Sequence, residues 1–241
     1  MNDKIDKLKK IVEKSSNIVF FGGAGVSTES NIPDFRTDKG IFNKKEEYPP
    51  EIMLSYSFFK KHPDKFYKFY IENMVYAHAQ PNAAHNALAN LEKQGKLRAV
   101  ITQNIDGLHQ KAGSKNVLEL HGSIYKNHCM SCDNGYQLAD VVASKGDIPR
   151  CNKCNGIIRP NVTLYEEALD SKVIEDAINY IKNAEVLIIG GTSLVVYPAA
   201  GLINYFTGSN LILINKDQTP YDNNANLVIN DSIGETLKKL I

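Results

Sequence analysis

Ile18-Val19-Phe20-Phe21-Gly22-Gly23-Ala24-Gly25-Val26-Ser27-Thr28 is the stretch on which the fold turns. Four apolar residues with no polar residue between them run straight into a glycine-rich loop, the pattern of a short strand buried on both faces. Upstream, Ile5, Leu8, Ile11 and Val12 recur at helical spacing, so a helix precedes that strand. Downstream, similar apolar runs return at 99–101, 117–120, 186–189, 211–214 and 227–229. Helical patterns separate them: residues 83–94 closed by Gly95, residues 171–183 after Asp170, and a segment opening with Pro198. Buried strands alternating with helices predict an α/β fold with a parallel, doubly wound sheet.

Two stretches break the alternation. Residues 36–82 carry Phe58, Phe59, Phe66, Tyr67, Phe69, Tyr70 and Tyr76 at helical spacing, and 122–158 hold all four cysteines. Both are expected in a smaller lobe inserted into the sheet domain, which then consists of residues 1–35, 83–121 and 159–241.

The cysteines form two Cys-x2-Cys pairs, Cys129/Cys132 and Cys151/Cys154, with 18 residues between the pairs. That spacing fits a four-thiolate zinc site, one ion per chain. Four sulfurs leave zinc no open position, so the role expected is structural: holding together a lobe with little core of its own. Cysteines that merely pack, or that form a redox pair, are the alternative.

The 241 residues are 43% apolar and 23% charged, ordinary for a globular chain. Lys and Arg number 28 against 27 Asp and Glu, a net charge of +1, so no global field draws the chain to nucleic acid or to an anionic membrane. The start, Met1-Asn2-Asp3-Lys4, leads into a charged amphipathic stretch, and no apolar run approaches the ~18 residues of a membrane span. A soluble cytoplasmic protein is expected.

After a strand, a loop such as Gly22–Thr28 can present backbone N–H groups to a pyrophosphate at a helix N-terminus. The match to a dinucleotide fingerprint is partial. Thr28 stands at the third glycine position, and about 20 residues on the loop-like 44–51 replaces a strand ending in an acid. A standard dehydrogenase is therefore disfavoured, and a tight turn without ligand stays open. Asn31-Ile32-Pro33-Asp34-Phe35-Arg36 follows directly. Arg36 is one of only four arginines, which points to a need for a planar, multi-donor group such as phosphate or ribose recognition requires. Thr102-Gln103-Asn104-Ile105-Asp106-Gly107-Leu108-His109, His121-Gly122, Gly190-Gly191-Thr192-Ser193 and Asn215 each end a strand-like run, where open α/β sheets bind ligands.

With these pieces assembled, the chain resembles the sirtuins, NAD-dependent protein lysine deacylases, and most of all the bacterial deacetylases. The likeness rests on Gly23-Ala24-Gly25-Val26-Ser27, Ile32–Arg36, Thr102–His109, His121-Gly122, the four cysteines, Arg159-Pro160-Asn161-Val162 and Gly191–Ala200, in order from about residue 20 to 215. The resemblance implies a Rossmann-like large domain and a small zinc lobe, with NAD and an acetyl-lysine peptide meeting in the cleft between them. It implies NAD contacts from Gly23, Ala24, Gly25, Thr28, Asp34, Phe35 and Arg36. Gln103, Asn104, Ile105 and Asp106 would surround the nicotinamide and its ribose. Gly191, Thr192, Ser193, Asn215 and Ile233 would hold the adenosine half and phosphates, and Val162, Thr163, Tyr165 and Val195 the substrate. His121 would be the general base: the acyl oxygen attacks the nicotinamide ribose carbon, nicotinamide leaves, His121 helps deprotonate a ribose hydroxyl, and water releases lysine and O-acetyl-ADP-ribose. An imidazole, with its ordinary pKa near ~6.5, suits that proton transfer. His109 reads as structural.

Departures from the family pattern fall in the peptide groove. Tyr165-Glu166-Glu167 stands where Phe-Gly-Glu is usual, and Thr163 where a valine is common. Succinyl-preferring sirtuins carry a Tyr and, three residues on, an Arg; here Tyr70 is followed by Asn73, with Glu72 beside it, which implies preference for uncharged acyl groups. A mono-ADP-ribosyltransferase and a non-catalytic NAD or ADP-ribose sensor are the competing readings. His121 and Asn104-Ile105-Asp106 favour catalysis.

Overall fold

The computed structural model describes residues 2–35, 40–43 and 47–240. Among them run nine strands: β1 (Ile18–Gly22), β2 (Leu97–Thr102), β3 (Val117–Glu119), β4 (Gly122–Cys129), β5 (Gly135–Tyr136), β6 (Ile158–Val162), β7 (Val186–Gly190), β8 (Asn210–Ile214) and β9 (Leu227–Ile229). The α-helices are α1 (Asn2–Lys14), α2 (Pro50–Met53), α3 (Tyr56–Lys61), α4 (Pro63–Met74), α5 (Ala83–Lys93), α6 (Leu108–Ala112), α7 (Leu138–Val142), α8 (Ser171–Asn183) and α9 (Ile233–Leu237). The segment opened by Pro198 winds as a 3-10 helix, Ala199–Tyr205, tighter than the helix expected there.

Six strands form one parallel sheet in the order β3-β2-β1-β7-β8-β9. β1 pairs in parallel with β2 on one side, with a shift of register after Ile18, and continuously with β7 on the other; all five of its residues are buried, as are those of β7. Because strand residues alternate sides, the apolar runs serve two cores at once. Ile18, Phe20, Val100, Ile188 and Ile212 pack with Leu8 of α1 and Leu88 of α5. Val19, Phe21, Ile101, Leu187 and Leu213 pack against Ala177 and Ile181 of α8 and the 3-10 segment. The doubly wound, Rossmann-like sheet is thus present, and its strand order reverses between β1 and β7. In open sheets the crevice beyond the carboxyl ends at such a switch point is where ligands bind.

A second sheet, β5-β4-β6, is antiparallel. One apolar cluster joins it to the helical insertion: Phe59, Phe66, Tyr67 and Tyr70 lie against Ile124, Val141 and Ile158. Aromatic rings supply much of this core, with Phe66 edge-on to Tyr67 at 5.3 Å and stacked on Tyr70 at 5.6 Å. The expected return to the sheet domain at residue 159 falls inside β6. Arg159, Pro160, Asn161 and Val162 pair with β4, so backbone hydrogen bonding keeps the chain in the small sheet to residue 162.

Candidate functional site

The glycine loop leaves β1 as two short 3-10 turns, Ala24–Val26 and Thr28–Ser30, and crosses over the end of β7. Gly25 N–H donates to Gly191 O at 2.8 Å, and a Cβ on Gly25 would stand 2.8 Å from Gly191 backbone. The glycines therefore permit two loops to cross at the switch point. The strand-to-helix entry of a dinucleotide fingerprint is not what forms here: the turns are three residues long, and the Gly25 N–H is already bonded to protein.

Ser27, buried beneath the loop, is a hub. Its hydroxyl donates to Asp106 Oδ2 at 2.6 Å and accepts from Asn104 Nδ2 at 3.0 Å, and Asp106 Oδ1 accepts Leu108 N–H at 2.9 Å. Burial raises the Asp106 carboxyl, while the bonds from Ser27 and Leu108 pull it back. Gln103 Nε2 donates to Thr192 Oγ1 at 3.1 Å, tying the ends of β2 and β7 together. Thr28 Oγ1 donates to Gly25 O at 3.0 Å.

His121 follows β3. Its Nδ1 lies 2.9 Å from Gln103 O. A carbonyl oxygen only accepts, so Nδ1 bears the hydrogen and the lone pair stays on Nε2. Burial pushes the imidazole below its ordinary value, opposed by the bond to Gln103, so the ring is neutral at neutral pH. Gly122, at φ +76, turns the chain out of the large sheet, and a Cβ there would stand 1.9 Å from Asn161 O. His121 O accepts Thr163 N–H at 3.0 Å where the chain returns.

The remaining expected residues are more scattered. Phe35 lies against Phe42, the rings tilted with centroids 5.4 Å apart, and packs with Ile105 against the small-lobe core. Asp34 O accepts Ile41 N–H. Arg36 lies outside the described residues. Ser193 is exposed, Asn215 donates its amide to Asp217 O at the end of β8, and Ile233 is buried with its Cδ1 over Gly190. Val162 is buried, Thr163 half-buried, and Tyr165 and Val195 are 42% and 48% exposed. Gly23 faces Thr192, and Ala24 is half-buried beside it.

The unusual Glu166 has a structural account. It sits at φ +75, in the left-handed region a glycine takes without strain, and its carboxylate accepts Ser57 N–H and Ser57 Oγ, both at 2.8 Å, at the start of α3. Glu167 pairs with Arg159 and accepts Leu164 N–H. On α4, Tyr70 and Asn73 are buried, and Asn73 Nδ2 donates to Phe69 O. Glu72 is exposed. His109, read as structural, is buried on α6 with its ring 4.7 Å from that of His85.

The four cysteine sulfurs lie within 4.8 Å of one another and form no disulfide. A tetrahedral zinc with Zn–S near 2.3 Å sets its sulfurs about 3.8 Å apart, so the cluster fits that ion. Ser131 N–H and Lys153 N–H point at Cys129 and Cys151 Sγ at 3.4 Å, and Tyr136 OH donates to Cys151 Sγ at 3.0 Å, lowering that thiol to about 6. These donors suit thiolates.

Sequence reasoning missed Ser27 as a site residue although it directly follows the glycine turn. Its signal was a hydroxyl placed where a buried partner for Asp106 and Asn104 was needed.

A family model described as the Sir2 family matches residues 23–198. An NAD-dependent protein deacetylase of Clostridium acetobutylicum is 61% identical over 241 residues, covering 99% of this chain and 98% of its own. Among solved structures, a Sir2 with a deacetylated p53 peptide and 3'-O-acetyl ADP-ribose superposes with TM-score 0.92 at 38% identity, covering 98% of this chain and 96% of that one. A complex of Sir2 with a p53 peptide and NAD+ gives 0.87 at 38% identity, with the same coverage.

Proposed function

Because the chain belongs to the Sir2 family, we propose that it is an NAD-dependent protein lysine deacetylase that converts acetyl-lysine and NAD to lysine, nicotinamide and O-acetyl-ADP-ribose. The observation that carries this is the neutral, oriented His121 beside the Ser27, Asn104 and Asp106 cluster at the sheet's switch point. NAD supplies the electrophilic ribose carbon that the acyl oxygen attacks as nicotinamide leaves. His121 Nε2 takes the proton of the ribose hydroxyl, with the positive ring stabilised through its Nδ1–H on Gln103 O.

In this reading Asn104 and Asp106 orient the nicotinamide end, with Gln103 and Ile105 beside it. Gly23, Ala24, Gly25, Thr28, Asp34, Phe35 and Arg36 line the cofactor loop. Gly191, Thr192, Ser193, Asn215 and the start of α9 at Ile233 take the adenosine half. Val162, Thr163, Tyr165 and Val195 flank the acetyl-lysine peptide. Zinc, one per chain on Cys129, Cys132, Cys151 and Cys154, holds the small lobe in place and takes no part in the chemistry. No helix among the described residues is long and apolar enough to cross a membrane. Unpaired cysteines kept as a metal cluster suit a reducing compartment, which supports a cytoplasmic location.

Incubation with NAD and an acetylated peptide tests the reading. Free nicotinamide with O-acetyl-ADP-ribose supports it. Label transferred to protein, or saturable NAD binding without turnover, overturns it in favour of a transferase or a sensor.

A further inference from the structure

Asn82 lies just before α5, more than fifty positions from the cofactor loop, and touches both. Its Oδ1 accepts Ala84 N–H at 2.9 Å and caps the helix. Its Nδ2 donates to Val26 O at 2.7 Å and to Ser30 Oγ at 3.0 Å. Val26 and Ser30 flank Ser27, the residue bonded to Asp106 and Asn104, and both are buried. A fourth bond orients the residue, from Asn82 N–H to His85 Nδ1 at 3.2 Å. That bond needs His85 neutral, and burial lowers its imidazole to about 4.

We propose that Asn82 is a positioning residue for the cofactor loop: its amide nitrogen holds Val26 and Ser30 so that Ser27 meets Asp106 and the loop is preorganised for NAD. Only an amide does this. The oxygen end is needed by the helix and the nitrogen end by the loop, which sit on opposite sides of one planar group. Without the donor, the buried Val26 carbonyl loses its partner, and the loop must be ordered at the expense of NAD binding.

The two ends are separable by substitution, and the inference rests on the deacetylase reading only for its kinetic arm. Asn82→Asp keeps an oxygen for Ala84 N–H but presents a carboxylate to Val26 O. Asn82→Ala removes both. The expected result for Asn82→Asp is a smaller fall in melting temperature than for Asn82→Ala, because Asp caps about as well as Asn while only the loop bonds are lost. The dissociation constant for NAD, by calorimetry, rises about tenfold, the scale of one lost buried hydrogen bond. The KM for acetylated peptide stays within about twofold, and amide exchange over residues 24–31 accelerates while that of α5 does not. Asn82→Ala adds the loss of the cap and a further fall in melting temperature. Unchanged NAD affinity and loop exchange in Asn82→Asp overturn the proposal, as does a loss of melting temperature equal to that of Asn82→Ala. Should wild type yield no O-acetyl-ADP-ribose, the deacetylase reading fails, while the exchange comparison still decides the role of Asn82.

Discussion

Acid should weaken this fold through two histidines that the chemistry does not use, and replacing one of them measures the effect. His85 and His109 are buried against each other, rings 4.7 Å apart, with no hydrogen-bond partner among the described residues for His85 Nε2 or either His109 nitrogen. Burial lowers His85 from 6.5 to about 4 and, with the neighbouring ring, His109 from 6.5 to about 3. Below pH 6.5 the unfolded chain takes protons that the native fold refuses, so stability is full above that pH and is lost as pH falls toward 4 and 3. At pH 5 each ring costs about 2 kcal/mol relative to pH 8, a figure insensitive to how far below 5 the folded values lie. Together that is a large part of the ~5–15 kcal/mol of a typical domain. Asp106 and Glu119, raised by burial, act in the opposite sense, so the measurement must be differential. His85→Gln keeps an acceptor for Asn82 N–H, glutamine being favoured at that capping-box position, and removes one titration. Urea unfolding at pH 8, 6.5 and 5 should show the variant losing about 2 kcal/mol less than wild type by pH 5. Parallel loss in the two proteins would refute the reasoning.

Other outcomes follow from the site. His121→Ala should melt like wild type and lose about 10²–10⁴ in deacetylation rate, the usual worth of a general base; residual activity near wild type in a nicotinamide-release assay would rule the assignment out. Elemental analysis should give one zinc per chain, and Cys154→Ala should lower both zinc content and melting temperature, because the small lobe is built around that cluster. Acetylated peptide should be turned over far faster than its succinylated form, since no cation replaces Asn73 on the buried face of α4; equal kcat/KM contradicts this. At Glu166, replacement by Gly exchanges the loss of two bonds to Ser57 for relief of about 1–2 kcal/mol of left-handed strain, whereas Glu166→Ala keeps the strain and loses the bonds, so thermal melting should rank Ala below Gly.

The sheet was legible because apolar runs of three or four residues, rich in Ile, Val and Leu, leave a chain few alternatives, and Ile18–Phe21 and Val186–Ile189 became adjacent central strands. Strand order could not be read from those runs, since every buried strand has similar composition. The last strand of the small sheet was not legible for a related reason. Arg159-Pro160-Asn161 has no apolar pattern, and its strand exists only through pairing with β4. At the site, motif residues at strand ends were visible, but Asn82 was not: nothing in Pro81-Asn82-Ala83 reveals which loop the free end of an N-cap amide will meet.

Function depends on how the two sheets are joined. His121 is the last residue before Gly122 turns the chain from one sheet into the other. Its ring is held from the large sheet through Gln103 O and its carbonyl from the small one through Thr163 N–H. A rotation of the small lobe would therefore pull the imidazole out of line. Gly122 has no room for a side chain, so the turn cannot widen without breaking β4 from β6. Those strands end at the cysteine cluster: Cys129 closes β4, and Ile158 of β6 pairs with it four residues after Cys154. A zinc held by the four sulfurs would fix the strand pair on which the orientation of His121 depends, so a closed site can serve the proposed reaction without touching substrate.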